Sequence, residues 1–143
     1  MIGVVVVTHG QLATELVNAA EMIVGDLPRF AAVSIGWHDD VTVAREALGQ
    51  TLERVQTGSG VLILTDMFGG TPSNLGLSFL EQGKVEVVTG VNLAMLIKLA
   101  RTPEGMDLLA LARDLCADGR EAIRVASDLI RSDRVTDSAG DAV

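Results

Sequence analysis

Aromatic residues are scarce, 3% of the chain, with no tyrosine, one tryptophan and three phenylalanines. A core built on rings is therefore excluded, and the 48% of apolar residues leaves it to valine, leucine, isoleucine and alanine. Cysteine occurs once, as Cys116, so no internal disulfide can form and nothing argues for an oxidising compartment. Basic residues are outnumbered, 11 Lys+Arg against 19 Asp+Glu, for a formal net charge of −8. The basic surface that a nucleic-acid binder needs is missing. At the N-terminus there is no basic leader, and the apolar run is too short to span a bilayer. The expectation is a cytoplasmic protein without direct membrane insertion. Two histidines and one cysteine at these spacings supply no metal cluster, so neither a metal nor a cofactor is expected.

What is present begins with an unbroken run, Val4-Val5-Val6-Val7, that stops at Thr8-His9-Gly10. A run of β-branched residues without alternation reads as a strand buried on both faces, with His9 just past its carboxyl end. A helix follows over about 11–25, with Leu12, Leu16, Ala19, Ala20 and Ile23 on its apolar face. Further apolar runs predict strands over 30–35, 61–65 and 85–89. Helices are expected from Asp39 or Asp40 as cap to about Val55, from a Thr71 cap with Pro72 at the first position until Gly83, over 93–101, and from Gly105 to about Arg131 with a break near Asp118-Gly119. Strands alternating with helices imply βαβ units, a parallel sheet and right-handed crossovers. With 143 residues and no linker or repeat, this is one α/β domain over 1–131, followed by a small polar tail, 132–143.

Three strand-exit loops carry polar residues that a core does not need: Thr8-His9-Gly10, Asp66 through Asn74, and Gly90-Val91-Asn92. In the flavodoxin-like strand order 2-1-3-4, strands one and three are neighbours, and a crevice opens between His9 and Asp66. A carboxylate there can hold one imidazole nitrogen and leave the other as nucleophile. Gly70, Thr71 and Ser73 at a helix start, with Gly10 and the Thr8 hydroxyl, are the candidate receptors for a phosphate. The set suits phosphoryl transfer, in which positioning and charge stabilisation do most of the catalysis. His38 and Cys116 read as structural, and Trp37 either rims the site or covers the core, with cover favoured.

Other phosphate-handling patterns fit worse. Neither G-x-x-x-x-G-K-[ST] nor G-x-G-x-x-G occurs. A receiver domain would need an acidic pair where Thr8-His9 stand, and a histidine phosphatase an arginine at Thr8.

Taken together, Thr8-His9-Gly10, Asp66-Met67-Phe68-Gly69-Gly70-Thr71-Pro72-Ser73-Asn74 and Gly90-Val91-Asn92-Leu93-Ala94-Met95-Leu96 resemble the enzyme IIA domain of the mannose/fructose/sorbose class of the bacterial phosphoenolpyruvate-dependent sugar phosphotransferase system. The resemblance covers roughly 1–130. It implies that His9 takes a phosphoryl group on Nε2 from the phosphocarrier HPr and passes it to a histidine of a IIB domain, here expected on a separate protein. It implies that Asp66 holds the other ring nitrogen and that the Thr71 hydroxyl lies near the phosphate. It also implies a homodimer exchanging an antiparallel edge strand from the C-terminal region. The same domain resembles the phosphocarrier of dihydroxyacetone-kinase systems and regulatory phosphohistidine modules, the alternatives to sugar uptake.

Overall fold

Apolar runs without polar interruption need cover on both sides, and the computed structural model, which describes residues 1–131, supplies it. In chain order the elements are β1 (Gly3–His9), α1 (Leu12–Val24), β2 (Phe30–Ile35), α2 (Val41–Val55), β3 (Val61–Thr65), α3 (Thr71–Leu77), β4 (Val85–Thr89), α4 (Leu93–Ala100) and α5 (Leu108–Glu121). Residues 126–131 are helical as well. The strands form one parallel sheet in the order β2-β1-β3-β4, a flavodoxin-like fold with β1 and β3 at its centre. Residues 132–143, the expected tail and source of an exchanged strand, lie outside the described residues.

The two-residue period of a strand divides each run between two cores. Val4, Val6, Leu62 and Leu64 pack with α1, α4 and α5 on one face. Val5, Val7, Val61 and Ile63 pack with α2 and α3 on the other. All eight are at most 2% exposed. Burying one such side chain contributes roughly 1.5–3 kcal/mol, so the central strands are the most strongly held backbone in the molecule, and β1 is the one that ends in His9.

Local differences from expectation have physical causes. The buried stripe of α1 is Ala13, Val17 and Ala20, one position on from the expected face, leaving Leu12 47% and Ile23 57% exposed. Two alanines at 0% exposure let the helix sit close on the sheet, where bulkier neighbours would hold it off. α3 ends at Leu77, short of Gly83, because its last turn tightens. The Phe79 and Leu80 N–H groups bond the carbonyls three residues back, and the Ser78 hydroxyl donates to the Leu75 carbonyl at 2.6 Å. Its N-cap is Gly70 rather than Thr71. Asp40, not Asp39, caps α2, accepting from Thr42 N–H at 2.7 Å and Val43 N–H at 3.3 Å. Nor does α5 break at Gly119. There α4 crosses so closely that an added Cβ would stand 2.8 Å from Met95 Sδ, and the Gly119 carbonyl accepts from Asn92 Nδ2 at 3.0 Å. The glycine serves helix contact, and the break comes at residues 122–125.

Candidate active site

Strand register brings the two candidate residues together. Val7 of β1 lies beside Thr65 of β3, so the chain exits both strands side by side with His9 and Asp66 at the ends. The next N–H, of Gly10, bonds the Ile35 carbonyl at 2.8 Å and fixes the exit from β1. Asp66 Oδ2 then lies 2.7 Å from His9 Nδ1 and accepts the His9 backbone N–H at 3.1 Å, while Oδ1 accepts the Met67 N–H at 3.1 Å. One carboxylate thus grips both the ring and the backbone of the histidine.

Burial, the largest single influence on Asp66, pushes its pKa up. The hydrogen bonds from the His9 ring and backbone, the attraction of the His9 charge and the loop N–H together outweigh it, and the carboxyl is held below its ordinary value. At neutral pH Asp66 is ionised and only accepts, so the proton of a neutral His9 belongs on Nδ1. Nε2 then carries the free lone pair. The His9 side chain is 53% exposed against 15% for Asp66: the carboxylate is enclosed and the ring is presented.

Gly70 faces that ring. A Cβ there would lie 3.2 Å from His9 Cε1 and 3.3 Å from Nε2, and the backbone has a φ of 85° that side chains rarely adopt. His9, Gly10, Ile35, Gly36, Trp37 and Thr71 line a cavity of ≈ 310 Å³ around the ring. Thr71 is thus among the residues that line this cavity. The other two hydroxyl residues are not. Thr8 is 0% exposed and its Oγ1 accepts the Ala13 N–H at 2.7 Å, tying the start of α1 to β1. Ser73 is 0% exposed with its Oγ enclosed, because the third residue of α3 turns toward the sheet. Neither shows surface to the cavity.

Asn92, in the third polar loop, is committed elsewhere, capping α4 through Met95 N–H at 3.1 Å and tying α5 to it. Cys116 packs half-buried against the core. His38 is exposed. Trp37 reverses the expectation that it covers the core: at 99% exposure it covers nothing and rims the cavity. Phe68 at 74% and Met67 at 55% stand exposed in the Asp66 loop, giving the strand-exit edge an apolar character that residue-type reasoning overlooked. The available signal was their position, since large apolar residues in polar strand-exit loops have no core to enter. Among the described residues no group of three metal-ligating side chains forms, and no helix is long and apolar enough to cross a membrane.

Comparison with known proteins gives the chain a family. Residues 3–115 match the model of the EIIA-man family, described as the PTS system fructose IIA component. The chain is 30% identical over 129 residues to the PTS system fructose-specific EIIA component of Bacillus subtilis, covering 90% of this chain and 88% of that protein. It is 32% identical over 133 residues to the PTS system mannose-specific EIIAB component of Escherichia coli, covering 86% of this chain and 40% of the longer protein. Among solved structures, the mannose/sorbose specific IIA subunit of the phosphotransferase system from Enterococcus faecalis superposes with a TM-score of 0.78 at 30% identity, covering 87% of this chain and 93% of that one.

Proposed function

The chain belongs to the EIIA-man family of phosphotransferase-system IIA components, and on that premise we propose that it is a cytoplasmic phosphocarrier that receives a phosphoryl group from phospho-HPr on His9 and hands it to a histidine of a IIB protein during sugar uptake. The observation that carries this reading is the 2.7 Å contact between Asp66 and His9 Nδ1, which leaves Nε2 open toward Gly70 and the cavity.

The transfer balances on these groups. The Nε2 lone pair attacks the phosphorus of the donor phosphohistidine; the new N–P bond forms as the donor's N–P bond breaks, and that electron pair returns to the donor ring. His9 keeps its Nδ1 proton, the phosphorylated ring becomes cationic, and Asp66 stabilises that charge across the hydrogen bond. Reversal of the same step onto the acceptor histidine restores neutral His9. Gly10 and Gly70 leave room for the phosphoryl oxygens and the Thr71 hydroxyl is available to donate to one of them. Trp37, Met67 and Phe68 supply the apolar ring on which donor and acceptor dock, a pattern suited to partners that must bind and leave.

Exposed Ile123 (78%), Val125 (64%) and Ile130 (52%) beyond α5 support a homodimer in which a second copy covers this segment. Light scattering on the purified chain tests it, with a monomeric mass as the opposing result.

The decisive experiment incubates the protein with enzyme I, HPr and phosphoenolpyruvate and measures intact mass, wild type beside His9→Ala. One acid-labile phosphoryl adduct on wild type alone is expected. Wild type without an adduct, while HPr itself is phosphorylated, would overturn the reading.

A further inference from the structure

At the opposite edge of the sheet from His9, where β1 begins, a second cavity of ≈ 220 Å³ opens between β1, α4 and the loop preceding α5. Ile2, Val4, Phe30, Leu99 and Met106 give it an apolar wall. Arg29 also lines it, and the Arg29 Nη1 is fully buried with no hydrogen-bond partner among the described residues. No carboxylate of the described residues lies within ion-pair distance of that guanidinium, although the chain carries a net charge of −8. Arg29 as a whole is half-buried, but a buried donor atom left unpaired is destabilising, and native structures retain one where a ligand or water completes it.

We propose that this cavity binds a small organic monocarboxylate with a short hydrocarbon body, its carboxylate on the Arg29 guanidinium and its chain against Phe30, Leu99 and Met106. The volume exceeds the roughly 150 Å³ that suffices for a benzene-sized guest. The guanidinium fork matches a carboxylate bidentately. Two cations line the cavity, Arg29 and the Met1 ammonium, but the ammonium pairs with Glu104 at 3.7 Å, so Arg29 is the one cation left without a carboxylate among the described residues, which favours one negative charge over the two of a phosphate ester. Because the site stands at the other end of β1 from His9, its ligand is not the group being transferred.

The test titrates the full chain with hexanoate and follows amide shifts by two-dimensional NMR, with hexanamide as the neutral isostere and hexyl phosphate as the dianion. Saturable shifts at Ile2, Phe30 and Thr102 are expected, with hexanamide and hexyl phosphate binding at least tenfold more weakly than hexanoate. Arg29→Gln should weaken hexanoate at least tenfold. Met106→Trp, which keeps the cation and fills the space, should abolish binding, so a folding defect in one variant does not decide the matter. Absent or non-saturable shifts, equal binding of hexanamide, or unchanged binding by a folded Met106→Trp would each overturn the proposal.

Discussion

Replacing Gly70 by alanine should slow phosphoryl transfer beyond what its loss of stability explains, and Gly25→Ala provides the control. Gly70 has φ 85° and ψ 173°, Gly25 φ 88° and ψ −166°, the same corner of backbone space and one essentially reserved for glycine. Forcing a side chain into it costs roughly 1–3 kcal/mol. At roughly 2–4 °C per kcal/mol for a chain of this size, both variants should melt about 2–12 °C below wild type. What differs is the new methyl's surroundings. At position 25 it meets nothing within 4 Å; at position 70 it presses on His9 at 3.2–3.3 Å. The ring cannot swing freely away, because Asp66 holds Nδ1 at 2.7 Å and the backbone N–H at 3.1 Å. Displacing a nucleophile by a fraction of an ångström to one ångström from its line of attack costs about 10- to 100-fold in rate. The assay is single-turnover transfer from phospho-HPr by rapid quench, well below both melting temperatures. Gly70→Ala should be slow and Gly25→Ala near wild type. Equal rates for the two variants would refute the assignment of Gly70 to the space around Nε2.

Asp66→Asn should keep the fold and lower the transfer rate on the order of 10²- to 10⁴-fold, since an amide neither fixes the Nδ1 tautomer nor neutralises the ring; full-rate transfer would sink the role given to Asp66. The lowered pKa of Asp66 makes a linked prediction. A carboxyl more acidic when folded than when unfolded adds stability above its ordinary value near 3.8 and loses it as pH falls through the folded value. Urea melts between pH 5 and pH 2 should therefore show the gap between wild type and Asp66→Asn closing toward the acid end, and a constant gap would contradict the shift. Thr8→Val removes the acceptor for Ala13 N–H and should destabilise by about 1–2 kcal/mol while leaving the transfer rate of folded protein within a few-fold; a rate collapse without unfolding would return Thr8 to the phosphate. Trp37→Ala should leave the melting temperature unchanged within about 2 °C and raise the concentration of phospho-HPr needed for half-maximal rate about tenfold or more. An unchanged concentration dependence would show that donors dock elsewhere.

The strands and the His9–Asp66 pair were legible because each rests on a one-dimensional rule. Four consecutive valines cannot alternate, so β1 had to be covered on both faces, and once β1 and β3 are adjacent their ends coincide whatever the side chains do. Direction is the information a sequence carries poorly. Thr8, Thr71 and Ser73 are three hydroxyl residues within reach of one loop system, yet one accepts the Ala13 N–H at the start of α1, one lines the cavity and one turns into the sheet, and only the pitch of α3 and the register of β1 distinguish them. Contact distance is equally hidden. Gly119 has the composition of a helix stop and the function of a close contact, because the relevant neighbour, Met95, is 24 positions away in sequence. In α1 the apolar residues run nearly all round the helix, so periodicity alone left its core face undetermined by one position, and small Ala13 and Ala20 won over Leu12 and Ile23 by allowing closer approach. Trp37 makes the same point from the surface. A residue between Gly36 and the acidic pair that starts α2 has no interior left to fill, and at 99% exposure it stands open on the cavity rim beside His9, where the proposed docking would cover it. The candidate chemistry is thus written in residues whose types the sequence announces, while the surface proposed for docking is written in residues whose placement only the fold reveals.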